Sequence, residues 1–405
     1  MFKGIIDTTL RDGQQSPLLF DSYKYRFTLD DKKKLVQGLI DLGITRLEFF
    51  SPVVSIIEKN DFIEIKKYIK KITTKKIYLL AHCRCVDKDI HAAIKAGFDG
   101  VNLYMNGTKN ARTHGYKKNF TQLKLHIKKT IIDVKKKYPH IYIRFSIEDA
   151  FRTSIADMYS IFDDLYGYVD TFGIPDTVGM ATPELVTSRI TNLVKRYPNV
   201  DFECHFHNDR GFALINTLTA IQLGVSYVDT SIWGLAERSG IASTTGVLFN
   251  LYQTDNKYSH SFNVELSYPL NVMMGSILKM QVPYNEPVSI TNRTHIAGVH
   301  HKAVLKAKSI YEAHHLEQFG VTHNQMLLGP LSGWNLIYYY LKEFENYVVT
   351  ESQTKEITEM FKNEVKEIHK KFRPESLLKH IAERYGLKKV QTRQRYFNSR
   401  VENLD

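Results

Sequence analysis

A chain of 405 residues is too long for one small module and can hold a core of about 200–250 residues with a second unit beside it. Its apolar fraction of 43% and charged fraction of 24% exclude disorder over most of the length. Lys+Arg 55 against Asp+Glu 43 gives +12, a balance that would suit nucleic acid, a membrane surface or small polyanionic substrates.

From residue 4 to about 250, short β-rich runs alternate with longer helical patterns. Gly4–Leu10 is the first run, followed by a helix over Asp30–Leu42; Thr45–Ser51 is the second, followed by Glu58–Ile72. Lys76–Cys83, Gly100–Met105 with the helix Asn119–Lys137, and Tyr142–Asp149 continue the series. Val169–Thr177 precedes Pro183–Arg196, where Thr182 is a good N-cap and Pro183 suits the first helical position. Asp201–Asp209 and Tyr227–Gly234 complete eight runs. Strand then helix, eight times, predicts an α/β fold: a (β/α)8 TIM barrel over 1–254. An open doubly wound sheet would usually carry a glycine-rich phosphate turn after its first strand, whereas here that strand enters Thr-Leu-Arg-Asp-Gly. Residues 255–373 read as mostly helical, with periodicity over Leu266–Met280 and Ser352–Lys371, while Asn285–His301 reads as loop. The stretch 374–405 reads as a basic, flexible tail.

No apolar window of about 18 residues exists, so no membrane partner is expected. Cys83, Cys85 and Cys204 form no disulfide pattern, which fits a reducing compartment and a cytoplasmic location. Lysine pairs such as Lys70-Lys71, Lys117-Lys118 and Lys128-Lys129 fall in helical segments with apolar residues between them and read as solvated faces rather than a nucleic-acid surface.

Polar residues cluster at the C-terminal ends of the predicted strands: Arg11-Asp12, Glu48, His82, Asn102, Arg144 with Ser146 and Glu148, Asp176-Thr177, and His205 through Asp209. In a barrel those ends converge on one face, where active sites lie. His205 and His207 point to the same side of a strand. With Asp12 they offer two imidazoles and a carboxylate, a set suited to a divalent catalytic ion: zinc, manganese, iron, cobalt or magnesium. Arg11 would place a permanent cation beside it. Arg144 with Ser146, His82 and Thr177 could form a carboxylate-binding wall.

Asp7-Thr-Thr-Leu-Arg-Asp-Gly-Gln-Gln15, His205-Phe-His-Asn-Asp209 and Asp229-Thr-Ser-Ile-Trp-Gly-Leu-Ala-Glu-Arg238 together resemble the metal-dependent acyltransferase and lyase family of barrels. That family includes isopropylmalate synthases, homocitrate synthases and hydroxymethylglutaryl-CoA lyases. The resemblance is strongest to the homocitrate synthase branch and spans about residues 4 to 370, taking in Glu48-Phe-Phe-Ser-Pro52, Thr294-His-Ile-Ala-Gly-Val-His300 and Ser332-Gly-Trp-Asn335. It implies condensation of acetyl-CoA with 2-oxoglutarate, with Asp12, His205 and His207 as metal ligands. Arg11 would bind the 2-oxo group, and His82, Arg144, Ser146 and Thr177 the distal carboxylate. His300 and Tyr311, with Glu148 as acid/base partner, would act in the partner subunit of a homodimer.

Three departures bear on substrate and regulation. Asp12 stands where homocitrate synthases often carry Glu, and Asn102 where lysine-sensitive members commonly carry Asp, although Glu203 matches their other acidic partner. Ile241 stands where isopropylmalate synthases tend to carry Asn, which favours the homocitrate reading. The loop Gly234–Gly246 lacks the cysteine expected of a lyase. Oxaloacetate, pyruvate or 2-oxoisovalerate remain alternative substrates for the same condensation, and a silent scaffold would have lost Arg11 or the three ligands.

Overall fold

The computed structural model of the chain describes residues 2–116, 118–254, 261–307, 310–366 and 373–390. Eight parallel strands close into one barrel in sequence order: β1 (Gly4–Asp7), β2 (Arg46–Phe50), β3 (Tyr78–Arg84), β4 (Gly100–Asn106), β5 (Tyr142–Glu148), β6 (Thr171–Asp176), β7 (Asp201–Phe206) and β8 (Tyr227–Thr230). Closure is by β1 against β8, with Ile5 opposite Val228. Between strands run α1 (Leu29–Leu42), α2 (Ile56–Ile72), α3 (Asp87–Ala96), α4 (Phe120–Lys137), α5 (Ile155–Leu165), α6 (Pro183–Arg196) and α7 (Ala213–Gln222), with α8 (Thr244–Thr254) and α9 (Ser267–Leu278) after β8. Their starts follow cap chemistry: Thr28 and Asp31 form a reciprocal box at α1, Asn119 and Gln122 another at α4, and the Thr182 side chain accepts from Leu185 N at α6.

Period-2 alternation divides each strand between two environments. Outward residues such as Leu47, Phe49, Val101, Leu103, Phe145, Phe172 and Val228 join Leu35, Leu39, Phe62, Ile65 and Ile131 from the helices in one buried cluster. Inward residues are graded along the axis. At the N-terminal end Ile6, Leu80 and Tyr227 pack with Tyr78 and Tyr142. Arg46 lies among three of these rings, 4.5 Å from Tyr78, 5.0 Å from Tyr142 and 4.4 Å from Tyr227. One step further along β5, and again on β2, β7 and β8, the inward residues are charged: Arg144, Glu48, Glu203 and Asp229.

Most strands are shorter than the sequence suggested, although β4 runs one residue further, to Asn106. β1 stops at Asp7, because the amides of Arg11 and Gly13 both donate to Thr8 O and turn the chain. β7 stops at Phe206, and His207 forms an isolated bridge with Ile241.

The chain divides into two compact units, Met1–Val288 and Ser289–Asp405. The barrel unit thus runs past the boundary read at 254, since α9 packs Leu270, Met274 and Leu278 into the barrel's cluster. The second unit contains α10 (Gly298–Lys306), α11 (Trp334–Tyr339), α12 (Glu351–Val365) and α13 (Pro374–Arg384). The stretch read as loop over 285–301 contains a helical turn at Ile290–Arg293 and the start of α10, so His300 sits on a helix. The segment read as a tail from 374 opens with α13, whose Leu377, Leu378 and Ile381 pack with Leu336, Ile337 and Phe361 in the second unit's core. The remainder of that tail, from 391, lies outside the described residues. No helix among the described residues is long and apolar enough to cross a membrane.

Candidate active site

At the C-terminal end of the barrel, Arg11, His82, Arg144, Ser146, Glu148, Thr177, His205 and His207 line one cavity of about 220 Å³, together with Asn102, Tyr104, Glu203 and Asp229. Asp12 comes from the turn after β1, His205 from β7 and His207 from just beyond it. His205 Nε2 lies 3.2 Å from Asp12 Oδ2 and 3.2 Å from His207 Nε2, and His207 Nε2 is 3.9 Å from the same oxygen. All three residues are buried.

This donor set fits a divalent ion. Both imidazole Nε2 atoms converge on Asp12 Oδ2, a buried oxygen that makes no hydrogen bond among the described residues and that a cation would complete. Asp229 Oδ2 sits 3.2 Å from His205 Nδ1, which holds the ring so that Nε2 faces the other two donors. Burial disfavours charge on Asp12, yet Arg11 and then His205 hold its carboxyl well below the usual range. His205, opposed by burial, is raised to about 9 by Asp12 and Asp229. His207 is lowered to about 3 by burial and by the charge on His205. Loading a metal would release the proton on His205. An ion held by Asp12, His205 and His207 would supply Lewis-acid polarisation of a substrate carbonyl.

Glu48, which the sequence placed on this face without a role, is the hub beneath Asp12 and the two histidines. Arg11 Nε donates to its Oε1 at 2.8 Å, Asn102 Nδ2 to its Oε2 at 3.3 Å, and Arg144 Nη2 to Oε2 as well. Burial would raise this carboxyl, but Arg144 and Arg11 hold it well below the usual range. Arg144 Nη1 also reaches Asp229 Oδ1 at 3.0 Å and Glu203 Oε2 at 3.4 Å. The guanidinium expected to bind a carboxylate therefore already serves three. Its Nε, buried and unpaired among the described residues, is the donor left over. Glu203 is pushed up to about 8 by burial, against the pull of Arg144.

The other wall residues are held in place by short links. Ser146 Oγ donates to Asn102 Oδ1 at 2.9 Å, and Asn102 Nδ2 lies 3.0 Å from His82 Nδ1. Gly173 on β6 leaves room for Ser146, since a Cβ there would collide with its hydroxyl. Thr177 Oγ1 accepts from Asp149 N at 2.8 Å, and the ring of His82 stacks on Tyr104 at 4.3 Å. Glu148 is raised by burial and by neighbouring Asp149, which suits a group that exchanges protons. In the second unit His300 and Tyr311 stack with ring centres 4.0 Å apart, and His295 lies 6.2 Å from His300. His295 Nε2 is itself 3.3 Å from Glu312 Oε1.

Sequence reasoning gave no role to Glu48, Asp229 or Tyr104. The signal was available for the first two: each is a carboxylate at an inward position of an otherwise apolar strand, and such a group requires a partner.

Residues 3–269 match the HMGL-like family, and residues 288–369 match the homocitrate synthase post-HMGL domain-like family. The chain belongs to the HMGL-like family. It is 34% identical over 358 residues to the mitochondrial homocitrate synthase of Schizosaccharomyces pombe, covering 87% of this chain and 82% of that one. The cytosolic homocitrate synthase isozyme of Saccharomyces cerevisiae is 32% identical over 88% of this chain and 81% of its own length. A 2-isopropylmalate synthase from Heliobacterium modesticaldum is also 32% identical, over 87% of this chain and 68% of its own. Among solved structures, the HMG-CoA lyase of Bacillus subtilis aligns over 70% of this chain and 95% of its own with a TM-score of 0.57 at 21% identity, a likeness of fold. This HMGL-like chain is an enzyme, an acyltransferase of the class that converts acyl groups to alkyl on transfer.

Proposed function

We propose that this enzyme condenses acetyl-CoA with 2-oxoglutarate to give homocitrate and CoA, with a divalent ion at Asp12, His205 and His207. The observation that carries the substrate is the cavity beside the ligands: it is lined by His82, Ser146, Thr177 and an Arg144 whose buried Nε has no partner. A second carboxylate on the substrate would satisfy that wall, whereas the branched apolar chain of 2-oxoisovalerate would leave it unpaired.

In this reading Arg11, fixed by Glu48 and 3.2 Å from Asp12 Oδ2, stabilises the negative charge that grows on the C2 oxygen. His300, stacked on Tyr311, removes a proton from the acetyl methyl group. The resulting carbanion adds to C2, and Glu148 exchanges protons at the cavity wall. Water then cleaves the thioester and releases CoA. We further propose a homodimer, in which His300 and Tyr311 of one subunit serve the partner's barrel.

The test is CoA release, followed with a thiol reagent, from acetyl-CoA, a divalent ion and each of 2-oxoglutarate, oxaloacetate, pyruvate and 2-oxoisovalerate. Selective turnover of 2-oxoglutarate is expected. Preference for another acid would overturn the substrate and keep the condensation, and no turnover would overturn both.

A further inference from the structure

The loop that carries Arg11 and Asp12 continues, before α1 begins, into an exposed aromatic finger. Phe20 is 62% exposed, Tyr23 81% and Tyr25 56%. Side chains of this kind are normally withdrawn from water, and a cluster of them on a surface marks a binding site. Phe20 and Tyr25 meet edge to face at 5.5 Å.

The finger is built, not loose. Leu19 and Phe27 at its base are fully buried, and the amides of Lys24 and Tyr25 both donate to Leu19 O at 2.9 Å. Lys24 Nζ pairs with Asp31 at 2.8 Å, and Asp31 closes the capping box of α1. Tyr23 and Tyr25 both adopt left-handed backbone, with φ of 53° and 61°. Non-glycine residues are held in that region only when the surrounding structure imposes it, and such strain concentrates at ligand-binding segments. Arg26, next in the chain, is exposed and forms no ion pair among the described residues.

We infer that Tyr23, Tyr25 and Arg26 form the docking site for the adenosine 3′-phosphate end of the acyl-CoA substrate. This rests on the condensation proposed above. CoA carries its thioester at one end of an extended pantetheine arm and its nucleotide at the other. A site for the nucleotide therefore belongs on the catalytic face but away from the metal ligands, and the finger lies with Asp12 in the β1–α1 connection at that face, beyond the short helical turns Asp12–Gln15 and Leu18–Asp21. An adenine ring stacks on exposed tyrosine faces, and a free guanidinium matches phosphate.

The experiment compares two thioesters and one binding measurement on the full chain. Acetyl-pantetheine lacks the nucleotide, so wild type should use it with a higher KM than acetyl-CoA. The triple variant Tyr23→Ala, Tyr25→Ala, Arg26→Gln should raise KM for acetyl-CoA about tenfold and leave KM for acetyl-pantetheine in place. Tyr23→Phe with Tyr25→Phe, which keeps the rings, should retain the wild-type value. Calorimetric titration with CoA alone should show the same loss in the triple variant, and reads the finger even if no 2-oxo acid is turned over. Unchanged CoA affinity, or an equal change with both thioesters, overturns the inference. So does a shift in oligomeric state with CoA affinity intact, which would make the finger a contact between copies of this chain.

Discussion

Two strand arginines point into this barrel, on neighbouring layers, and they are held in opposite ways. Arg46, near the N-terminal end, sits against the faces of Tyr78, Tyr142 and Tyr227. Arg144, nearer the catalytic end, reaches Glu48, Glu203 and Asp229. Aromatic faces hold a cation without being able to exchange it for anything else. Carboxylates tie theirs to Arg11, to His205 and through them to Asp12, so every charge in that layer senses what enters the cavity. One end of the barrel is closed by chemistry that does not react, and the other is held by charges that can re-pair.

The largest effects should come from the ligands. Asp12→Asn or His207→Ala should abolish turnover and the metal retained per chain after dialysis, while the thermal midpoint of metal-free protein changes little. Next is the hub: Glu48→Gln should lower kcat by about two orders of magnitude, the scale of a lost charge-positioning group, because Arg11 and Arg144 lose their common anchor. Steady-state kinetics beside a denaturant titration would separate this loss from instability.

Arg46→Met should do the reverse at the other end. It should cost about 1–3 kcal/mol of stability by denaturant titration and leave kcat/KM within about twofold. A large kinetic effect would break the contrast between the two ends.

The smallest effect concerns Asp7 at the end of β1, whose carboxyl is pushed from 3.8 up to about 7 by burial, against hydrogen bonds from Thr9 N and the Thr244 hydroxyl. The folded state then holds a proton that the unfolded state has released, so this group's contribution to stability falls as pH rises from about 4 to about 7. Asp7→Asn should flatten that part of the stability profile by a few kcal/mol at most, read from denaturant titrations at a series of pH values.

The barrel was legible because eight apolar runs with period 2 alternate with capped helical patterns, and the polar cavity at one end of it because polar residues cluster at strand ends. The layering was not legible. Alternation places Arg46 and Glu48, or Tyr142 and Arg144, on the same inward face of one strand, but it carries no information about which inward residues of other strands meet them. That depends on the stagger of eight strands, so Arg144 reads in sequence as a free carboxylate clamp when it is already shared among three acids. The segment from 374 misled for a different reason. Its basic residues mask Leu377, Leu378 and Ile381, which form a helical stripe only once α12 is there to cover them.

The most direct test of the central claim is a competition in one vessel. Enzyme, a divalent ion and acetyl-CoA labelled in the acetyl group are mixed with equal amounts of 2-oxoglutarate, oxaloacetate, pyruvate and 2-oxoisovalerate, and the labelled products are identified by mass. Their ratio reports relative kcat/KM directly. The polar wall around Arg144 predicts labelled homocitrate as the dominant product. Labelled 2-isopropylmalate or citramalate in its place would mean that this wall does not select for a second carboxylate, and would contradict the account.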